Sequence, residues 1–209
     1  MKNMLSLSLL ALYLFAIGCQ EPSSDQTGGQ GNKPAAASAP QLETGRFALQ
    51  KMIGPARLWS VDAKPVRLES EVVKGADGHD GKAAIWHVIF ASGARRRAEP
   101  FMWSGLSGPD SQPGVQHGVE DSFSPQNRST QPFDLNYLKV DSDQAFEVAQ
   151  THGGKQLLKK NPQEQVVCLL DWDPQTSQLR WHISYGGASA EDRLTVVVNA
   201  STAQFIHKE

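Results

Sequence analysis

Histidine has wide chemical use in proteins, because a neutral imidazole binds metal ions and transfers protons near neutral pH. This 209-residue chain has six histidines, and none has a partner at a metal-ligand spacing such as His-x-x-x-His or Cys-x-x-Cys. His87 and His182 nevertheless occupy the same place in two similar segments, and a pseudo-two-fold axis could bring them together. One hypothesis is therefore that the protein binds a metal ion or acts as an enzyme through His87 and His182. The alternative is that both are polar residues on the outer face of a sheet.

Two pairs of carboxylates are also closely spaced, Asp141-Ser142-Asp143 and Asp171-Trp172-Asp173. Neither pair continues into a calcium loop, which needs a central glycine and a distal glutamate. A helix N-cap accounts for the first pair and a strand end for the second. The sequence also has no nucleophile motif of the Gly-x-Ser-x-Gly or Ser-x-x-Lys type. We therefore expect a protein that is not an enzyme, with no catalytic residue, no metal ligand and no cofactor.

Cys168 lies in the apolar run Val166-Val167-Cys168-Leu169-Leu170. A reactive thiol needs an electropositive and partly exposed setting, which this run does not offer. We therefore expect Cys168 to be a small buried side chain.

Cys19 ends an apolar segment at the beginning of the chain. One Lys precedes the apolar residues 5–17, a run too short for a stop-transfer helix and typical of a secretory signal peptide. The residues Ala16-Ile17-Gly18-Cys19 resemble a bacterial lipobox. This resemblance implies removal of residues 1–18, thioether lipidation of Cys19 and acylation of its new amino group. The alternative is an ordinary signal peptide with a cysteine near its cleavage site.

Residues 19–41 are rich in Gly, Ser, Pro, Gln and Ala. Such a segment buries too little apolar surface to offset its ordering entropy, so we predict a disordered tether to the membrane. Gln20 follows the lipidation site, where Asp is the familiar inner-membrane retention signal in enteric bacteria. In a host with two membranes, Gln20 therefore favours the outer membrane, with the protein facing the periplasm.

The rest of the chain carries signs of an internal duplication. Trp86-His87-Val88 and Trp181-His182-Ile183 are 95 residues apart, and Phe47 and Phe146 match at an offset of 99. Similar segments at a nearly constant offset indicate that one structural unit occurs twice in the chain. We predict two tandem units, a first one over residues 42–135 that includes a long loop, and a second one over residues 136–209.

Each predicted unit begins with a helix and continues as an antiparallel meander, which gives the α+β class. The first helix has apolar spacing from Phe47 and meets a stop signal at Gly54-Pro55. The second has its N-cap at Asp141-Ser142-Asp143 and ends or kinks at His152-Gly153-Gly154. Alternation in the strands predicts that Trp86 and Trp181 point inward, each against the helix and the Phe of its own unit. In the second unit, the links at residues 173–177 and 186–189 are short enough for antiparallel hairpins.

The second unit resembles the PepSY and PepSY-like group of small bacterial envelope domains. The matching stretches are Val140 to Ala145, Trp181-His182-Ile183 and residues 194–206. The resemblance implies a cystatin-like unit with a helix packed across a sheet, and a role in binding or restraining peptidases. It supplies no catalytic residue.

The final turn of that family reads Asp-Ala-x-Thr-Gly, and its counterpart is Asn199-Ala200-Ser201-Thr202-Ala203. Asn199 stands where Asp is usual, and Ala203 where the turn glycine is usual. Because Ala is strained at positive φ, this departure favours a different turn here.

The composition limits the partners. A formal net charge of −2 excludes the basic surplus typical of nucleic-acid binding. We expect a membrane-tethered binding protein that takes a peptide or protein partner along a sheet edge or in a cleft between the two halves. The Gly/Pro/Ser-rich stretch 104–132 is long for a connection, and it is where we expect a partner contact. The oligomeric state does not follow from the sequence.

Overall fold

The computed structural model describes residues 39–108, 111–127, 130–186 and 194–209. The predicted signal peptide, Cys19 and nearly all of the predicted tether lie outside the described residues. So does most of the predicted link at residues 186–189.

The fold consists of helices and antiparallel strands, which confirms the α+β class. The first half contains α1 (Gly45–Trp59), β1 (Lys64–Glu71), β2 (Ile85–Ser92), β3 (Arg97–Ser104), β4 (Gly114–His117) and β5 (Asp121–Ser122). The second half contains a 3₁₀ turn (Leu135–Tyr137), α2 (Ser142–Ala149), a π turn (Gln150–Gly154), α3 (Lys155–Lys160), β6 (Val166–Asp173), β7 (Gln178–Tyr185), β8 (Leu194–Asn199) and β9 (Phe205–Lys208).

All the described strands belong to one sheet in the order β4-β3-β2-β1-β6-β7-β8-β9, with β5 paired to β3. This order is symmetric about the junction of β1 and β6, the first strand of each half. The junction pairs Arg67 with Asp171 and Leu68 with Leu170. The two halves therefore share one continuous sheet instead of forming two separate sheets.

The helices pack on one face of this sheet. The indoles of Trp86 and Trp181, which were predicted to point inward, are fully buried on that face. Trp86 and Trp181 both have 0% exposure. Their rings contact each other edge to face with centroids 6.3 Å apart. A Cβ placed on Gly45 would lie 2.6 Å from the ring of Trp181 and 3.0 Å from that of Trp86. Gly45 therefore lets the beginning of α1 lie directly on both indoles.

The two phenylalanines that were predicted to lie near these indoles contact other aromatic rings in the structure. Phe47 contacts Trp103 with ring centroids 6.1 Å apart, and Phe146 contacts Tyr185 at 6.4 Å. The two tryptophans pair with each other because the sheet brings the two halves together at β1 and β6. The inward direction was predicted correctly, but the pairing within each half was not.

Each indole also donates a hydrogen bond to the chain just before the helix of its own half. Trp86 Nε1 donates to the carbonyl of Glu43 at 2.9 Å, and Trp181 Nε1 donates to the carbonyl of Val140 at 2.9 Å. Each acceptor lies two residues before its helix begins. A buried N–H without a partner would be costly, so these bonds fix each helix start above its indole.

The N-termini of α1 and α2 meet, and one carboxylate serves both. Asp141 caps α2 in a capping box with Gln144. Its Oδ1 also accepts the N–H of Arg46 in α1 at 2.9 Å, and its Oδ2 accepts the hydroxyl of Thr44 at 2.7 Å. Both helix dipoles favour negative charge at this point. Asp141 therefore joins the two halves on the helix side of the sheet.

The helix α1 does not end at Gly54-Pro55 as predicted, but continues to Trp59. Pro removes one backbone N–H from a helix and disturbs the preceding turn. The buried stripe of Leu49, Met52 and Ala56 continues through this point. Packing of that stripe on the sheet maintains the helix across the proline.

The last turn keeps its left-handed residue although glycine is absent. Ala203 has φ = 61°. Asn199 stabilises the turn, because its Oδ1 accepts the N–H of Ser201 at 2.8 Å and its carbonyl accepts the N–H of Ala203 at 2.9 Å. The prediction of a different turn is therefore wrong. The hydrogen bonds to Asn199 hold Ala203 in the strained left-handed conformation.

Candidate functional site on the open face of the sheet

The two faces of the sheet differ in what covers them. Side chains of a strand alternate between faces, and in β2 the buried Trp86 and Phe90 point to the helix side. His87 and Ile89 point to the opposite side and are exposed, Ile89 at 41%. We call this second side, which α1 and α2 do not cover, the open face.

The structure places His87 and His182 on the open face in one row that crosses four strands. His87 is opposite Glu69, Glu69 is opposite Leu169, and Leu169 is opposite His182. Three interstrand spacings separate the two histidines, which is about 14 Å. One metal ion cannot be bound by both imidazoles at this separation, because Zn–N bonds are only about 2 Å long.

Each of these histidines instead has a carboxylate partner. His87 Nε2 lies 2.6 Å from Glu71 Oε2, with about half of each side chain exposed. His182 Nε2 lies 3.1 Å from Asp171 Oδ1. In the described part of the chain, no group of three or more His, Cys, Asp or Glu side chains is placed to hold a metal ion.

The second carboxylate pair belongs to an ionic network at the ends of β6 and β7. Arg180 lies 3.0 Å from Asp173 and 3.7 Å from Asp171. Burial raises the pKa of Asp171, but the hydrogen bond and charge of His182, with the charge of Arg180, outweigh it and leave the pKa below its ordinary value. Asp171 and Asp173 are therefore ionised and pair with Arg180 and His182 at the end of β6. This agrees with the structural role that was predicted for them.

Cys168 is buried, with 2% exposure, and burial raises the pKa of its thiol to about 12. We expect this thiol to react with a disulfide reagent at least about a hundredfold more slowly in the native protein than in guanidinium chloride, because reaction requires opening of the sheet. The Cys19→Ala variant leaves Cys168 as the only thiol for a colorimetric rate measurement. Equal rates in both conditions would contradict the buried position.

A small cleft lies on the open face beside the pairing of β3 and β4. Its volume is about 240 Å³, and His87, Pro100, Met102, Gln116 and Gly118 are among its lining residues. Gly118 donates its N–H to the carbonyl of Pro100 at 2.8 Å. A Cβ on Gly118 would lie 2.9 Å from Pro100 Cγ. The chain therefore lies directly against Pro100 at this end of the cleft.

A larger cleft of about 450 Å³ continues from Pro100 along the open face. Ile89 and Ala98 form its floor together with Pro100, and Val119 and Phe123 add apolar side chains from the segment after β4. The polar lining residues all come from the segment that follows: Asp121, Ser122, Ser124, Asn127 and Thr130. The two clefts share Pro100, and we call them together the open-face groove.

His117 borders the small cleft but does not bring its imidazole to His87. It is opposite Phe101, a helix-side residue, and its Nδ1 lies 2.6 Å from Oε1 of Glu99. Glu99 is only 4% exposed, and its Oε2 has no hydrogen-bond partner among the described residues. The imidazoles of His87 and His117 therefore lie on opposite faces of the sheet.

The sequence signalled this site only through the length of the stretch 104–132. That stretch supplies β4, β5 and all the described lining residues of the groove that lie outside β1, β2 and β3. The floor residues Ile89, Ala98 and Pro100 were not singled out, because their role depends on where the long stretch folds. Apolar residues on the outer positions of β2 and β3 were the remaining signal.

No protein-family model matches the chain, and no curated protein matches it at a significant level. The chain is similar in structure to a protein from Clostridium difficile 630 that is described as a putative lipoprotein. The sequences are 15% identical, the TM-score is 0.49, and the match covers 78% of this chain and 91% of the other. Among the described residues, no helix is both long and apolar enough to cross a bilayer.

Proposed function

We propose that this chain is a membrane-tethered, non-enzymatic lipoprotein of the cell envelope that binds a peptide or protein partner on its open face. The observation that carries this proposal is the open-face groove, whose two clefts meet at Pro100 over an apolar floor. Ligand sites are typically concave and mainly apolar, with a few polar groups at the rim. Among the side chains that could do acid–base or nucleophilic work, His182 and Asp141 are bonded to other groups of the protein, and Cys168 is buried.

The proposed architecture consists of two tandem PepSY-like units, 42–135 and 136–209, behind the tether 19–41. Two features support the duplication: the sheet order is symmetric about β1 and β6, and Trp86 and Trp181 make equivalent bonds to the helix starts. The units differ most after their third strand, where the first has the stretch that forms the groove.

The anchor is the lipidated Cys19, and the proposed location is the outer membrane, facing the periplasm. Replacing Cys19 by Ala is expected to move the protein from the membrane pellet to the soluble fraction, because stable anchoring at this site depends on the attached acyl chains. Fractionation of cells that express each form, followed by immunoblotting, measures the shift. A mutant that stays entirely in the membrane pellet would overturn the anchor.

A second candidate function is metal binding or enzyme activity centred on His87 and His182. It is favoured by their carboxylate partners Glu71 and Asp171, because metal-bound histidines commonly hydrogen-bond a carboxylate. Because His87 and His182 lie three interstrand spacings apart, each would have to bind its own metal ion. Metal content of the purified protein, with His87→Ala and His182→Ala as controls, distinguishes this function from partner binding.

The binding function is tested by placing a photo-crosslinking amino acid at Ile89, in the groove, and at Val167, an apolar open-face residue outside it. A partner in the groove predicts a crosslinked product from position 89 and none from position 167. Products from neither position, in native envelopes that contain the anchored protein, would remove the support for a binding function at this face.

A further inference from the structure

We propose that one end of the molecule, formed by the last turn of α1 and the turn between β2 and β3, contacts a bilayer that contains anionic phospholipids. We call this surface the basic tip, and it consists of Arg57, Leu58, Val61, Lys64, Arg96 and Arg97. The proposal goes beyond the binding of a partner on the open face. It rests on the proposed lipid anchor, which brings the folded part of the chain to a membrane.

Hydrogen bonds join the two turns of the basic tip. The turn after α1 is closed by the N–H of Ala63, which donates to the carbonyl of Ser60 at 3.0 Å. Asp62 in this turn accepts the N–H of Ala94 at 3.0 Å and the hydroxyl of Ser92 at 2.6 Å. These bonds hold the turn after α1 against the turn after β2, so side chains from both turns belong to one surface.

The apolar part of the basic tip is almost fully exposed. Leu58, in the last turn of α1, and Val61, in the turn that follows, are each 91% exposed. These are the two most exposed large apolar side chains among the described residues. The buried stripe of α1 ends earlier, at Ala56, so neither side chain serves the core. Apolar side chains in such a position gain free energy when they enter the boundary between headgroups and acyl chains.

The basic side chains of the tip are available to an anionic surface. Four of them are exposed and make no ion pair with another described residue: Arg57, Lys64, Arg96 and Arg97. A membrane surface that carries anionic lipids attracts Lys and Arg side chains within about 10 Å, the Debye length at 0.1 M salt. The tip therefore combines exposed apolar and cationic groups, the two features that such a membrane surface recognises.

The carboxylates at this end are fewer, and part of them are paired. Asp62 is engaged by the hydrogen bonds described above, and Glu120 accepts the indole N–H of Trp59 at 2.6 Å and pairs with Arg95. Only Asp121, which lines the open-face groove, and Asp134 make no ion pair with a described residue. The four unpaired basic side chains therefore outnumber the two unpaired carboxylates, although the formal net charge of the chain is −2.

A cleft between the end of α1 and the 3₁₀ turn gives the tip a concave region. Its volume is about 410 Å³, and Arg57, Val61, Lys64 and Asp134 are among its lining residues. Arg and Lys side chains bind phosphate oxygens by charge-assisted hydrogen bonds. A free phosphate would use these two cations but not the apolar side chains next to them. A lipid headgroup would use both, so the proposal names a lipid surface.

The chain before the described residues is long enough for this contact. Cys19 precedes Ala39, the first described residue, by 20 positions. A segment of that length spans at most about 70 Å. The described chain enters at the start of α1, and α1 has 15 residues, so the tip lies about 22 Å from that point. An anchor at Cys19 therefore permits the tip to reach the bilayer.

The test uses the full-length lipidated protein in vesicles of phosphatidylcholine, with or without about 30% phosphatidylglycerol. Val61→Cys carries a nitrobenzoxadiazole label, which emits more strongly in an apolar environment. Lys74→Cys, an exposed position beyond the other end of β1, carries the same label as the control. Anionic lipid is expected to raise the emission at position 61 at least about twofold and to leave position 74 unchanged. Salt at 1 M should reverse the rise, because the Debye length falls to about 3 Å.

Two pairs of substitutions, each made in the protein labelled at position 61, locate the contact. Arg57→Gln with Arg96→Asn should remove the response to anionic lipid, because each basic residue near such a surface raises membrane partition roughly fivefold. Asn suits position 96, where φ is 55°. Lys155→Gln with Lys159→Gln removes two exposed charges from α3 instead and should preserve the response. A response that survives the loss of Arg57 and Arg96 would contradict the basic tip as the contact.

Failure of this inference is distinct from failure of the proposed function. Protein that floats with the vesicles but gives the same emission in both lipids would overturn the tip contact and leave the anchor standing. Protein that does not float with the vesicles would overturn the anchor and this inference together. Emission that rises with the density of the protein, and not with anionic lipid, would overturn the inference in favour of contact between copies of the chain. Crosslinking at position 89 tests the open face independently of these results.

Discussion

Replacing Trp86 or Trp181 by Ala is expected to lower the free energy of unfolding by about 3–5 kcal/mol. Both side chains are fully buried, and each packs against the other and below the beginning of α1. Truncation leaves a cavity that a sheet cannot close, and the carbonyl of Glu43 or Val140 loses its donor. Denaturant titration of each variant measures the loss.

His87→Ala and His182→Ala are the matched controls, because each neighbours one of the tryptophans on the opposite face. His87 is half exposed, and its loss should change the free energy of unfolding by no more than about 0.5 kcal/mol. His182 is more buried and bonds Asp171, so about 1 kcal/mol is expected. Histidine variants as damaging as the tryptophan variants would show that the faces are wrongly assigned.

The contact between the two rings has a consequence for the double variant. Residues in direct contact have non-additive effects, with interaction energies of about 0.5–3 kcal/mol. The free-energy changes of Trp86→Ala and Trp181→Ala should therefore not add in the double variant. If the two indoles made no contact with each other, the two free-energy changes would add.

The local elements of the second half were predictable because their signals lie within a few residues. The structure places strands at Val166–Asp173 and Gln178–Tyr185, one on each side of the predicted link at residues 173–177. The glycines at 153 and 154 predicted that the helix ends or kinks there, and the structure has a kink, with Gly153 at φ = 115°. Pro55 is a local stop signal, but tertiary packing of α1 on the sheet overrides it.

The groove and the helix junction depend on contacts between distant residues. Sequence position identified Asp141 as the cap of its own helix, but its bonds to Thr44 and Arg46 cross more than 90 residues. The groove similarly requires Val119 to fold beside Ile89 and Pro100. No local pattern encodes such a meeting, so these two features could be found only in the folded structure.

Replacing Asp141 by Ala is expected to cost about 3–4 kcal/mol, the largest effect of any polar substitution that we predict, because two helices lose their cap together. The carboxylate accepts the backbone N–H of Arg46 and of Ser142 and the hydroxyl of Thr44. Only 7% of Asp141 is exposed, so water replaces these bonds poorly. Denaturant titration again measures the change in the free energy of unfolding.

Two further substitutions separate the shared cap from an ordinary one. Asp141→Asn keeps one acceptor oxygen but loses the charge, so about half of the loss is expected. Asp143→Ala removes a carboxylate from the first turn of α2 that bonds only the next residue, and should cost less than about 1 kcal/mol. Because Asp141 also anchors α1, hydrogen exchange should quicken at Arg46 in the Asp141→Ala variant and not in the Asp143→Ala variant. Exchange at Arg46 that is unchanged in both variants would mean that Asp141 caps only its own helix.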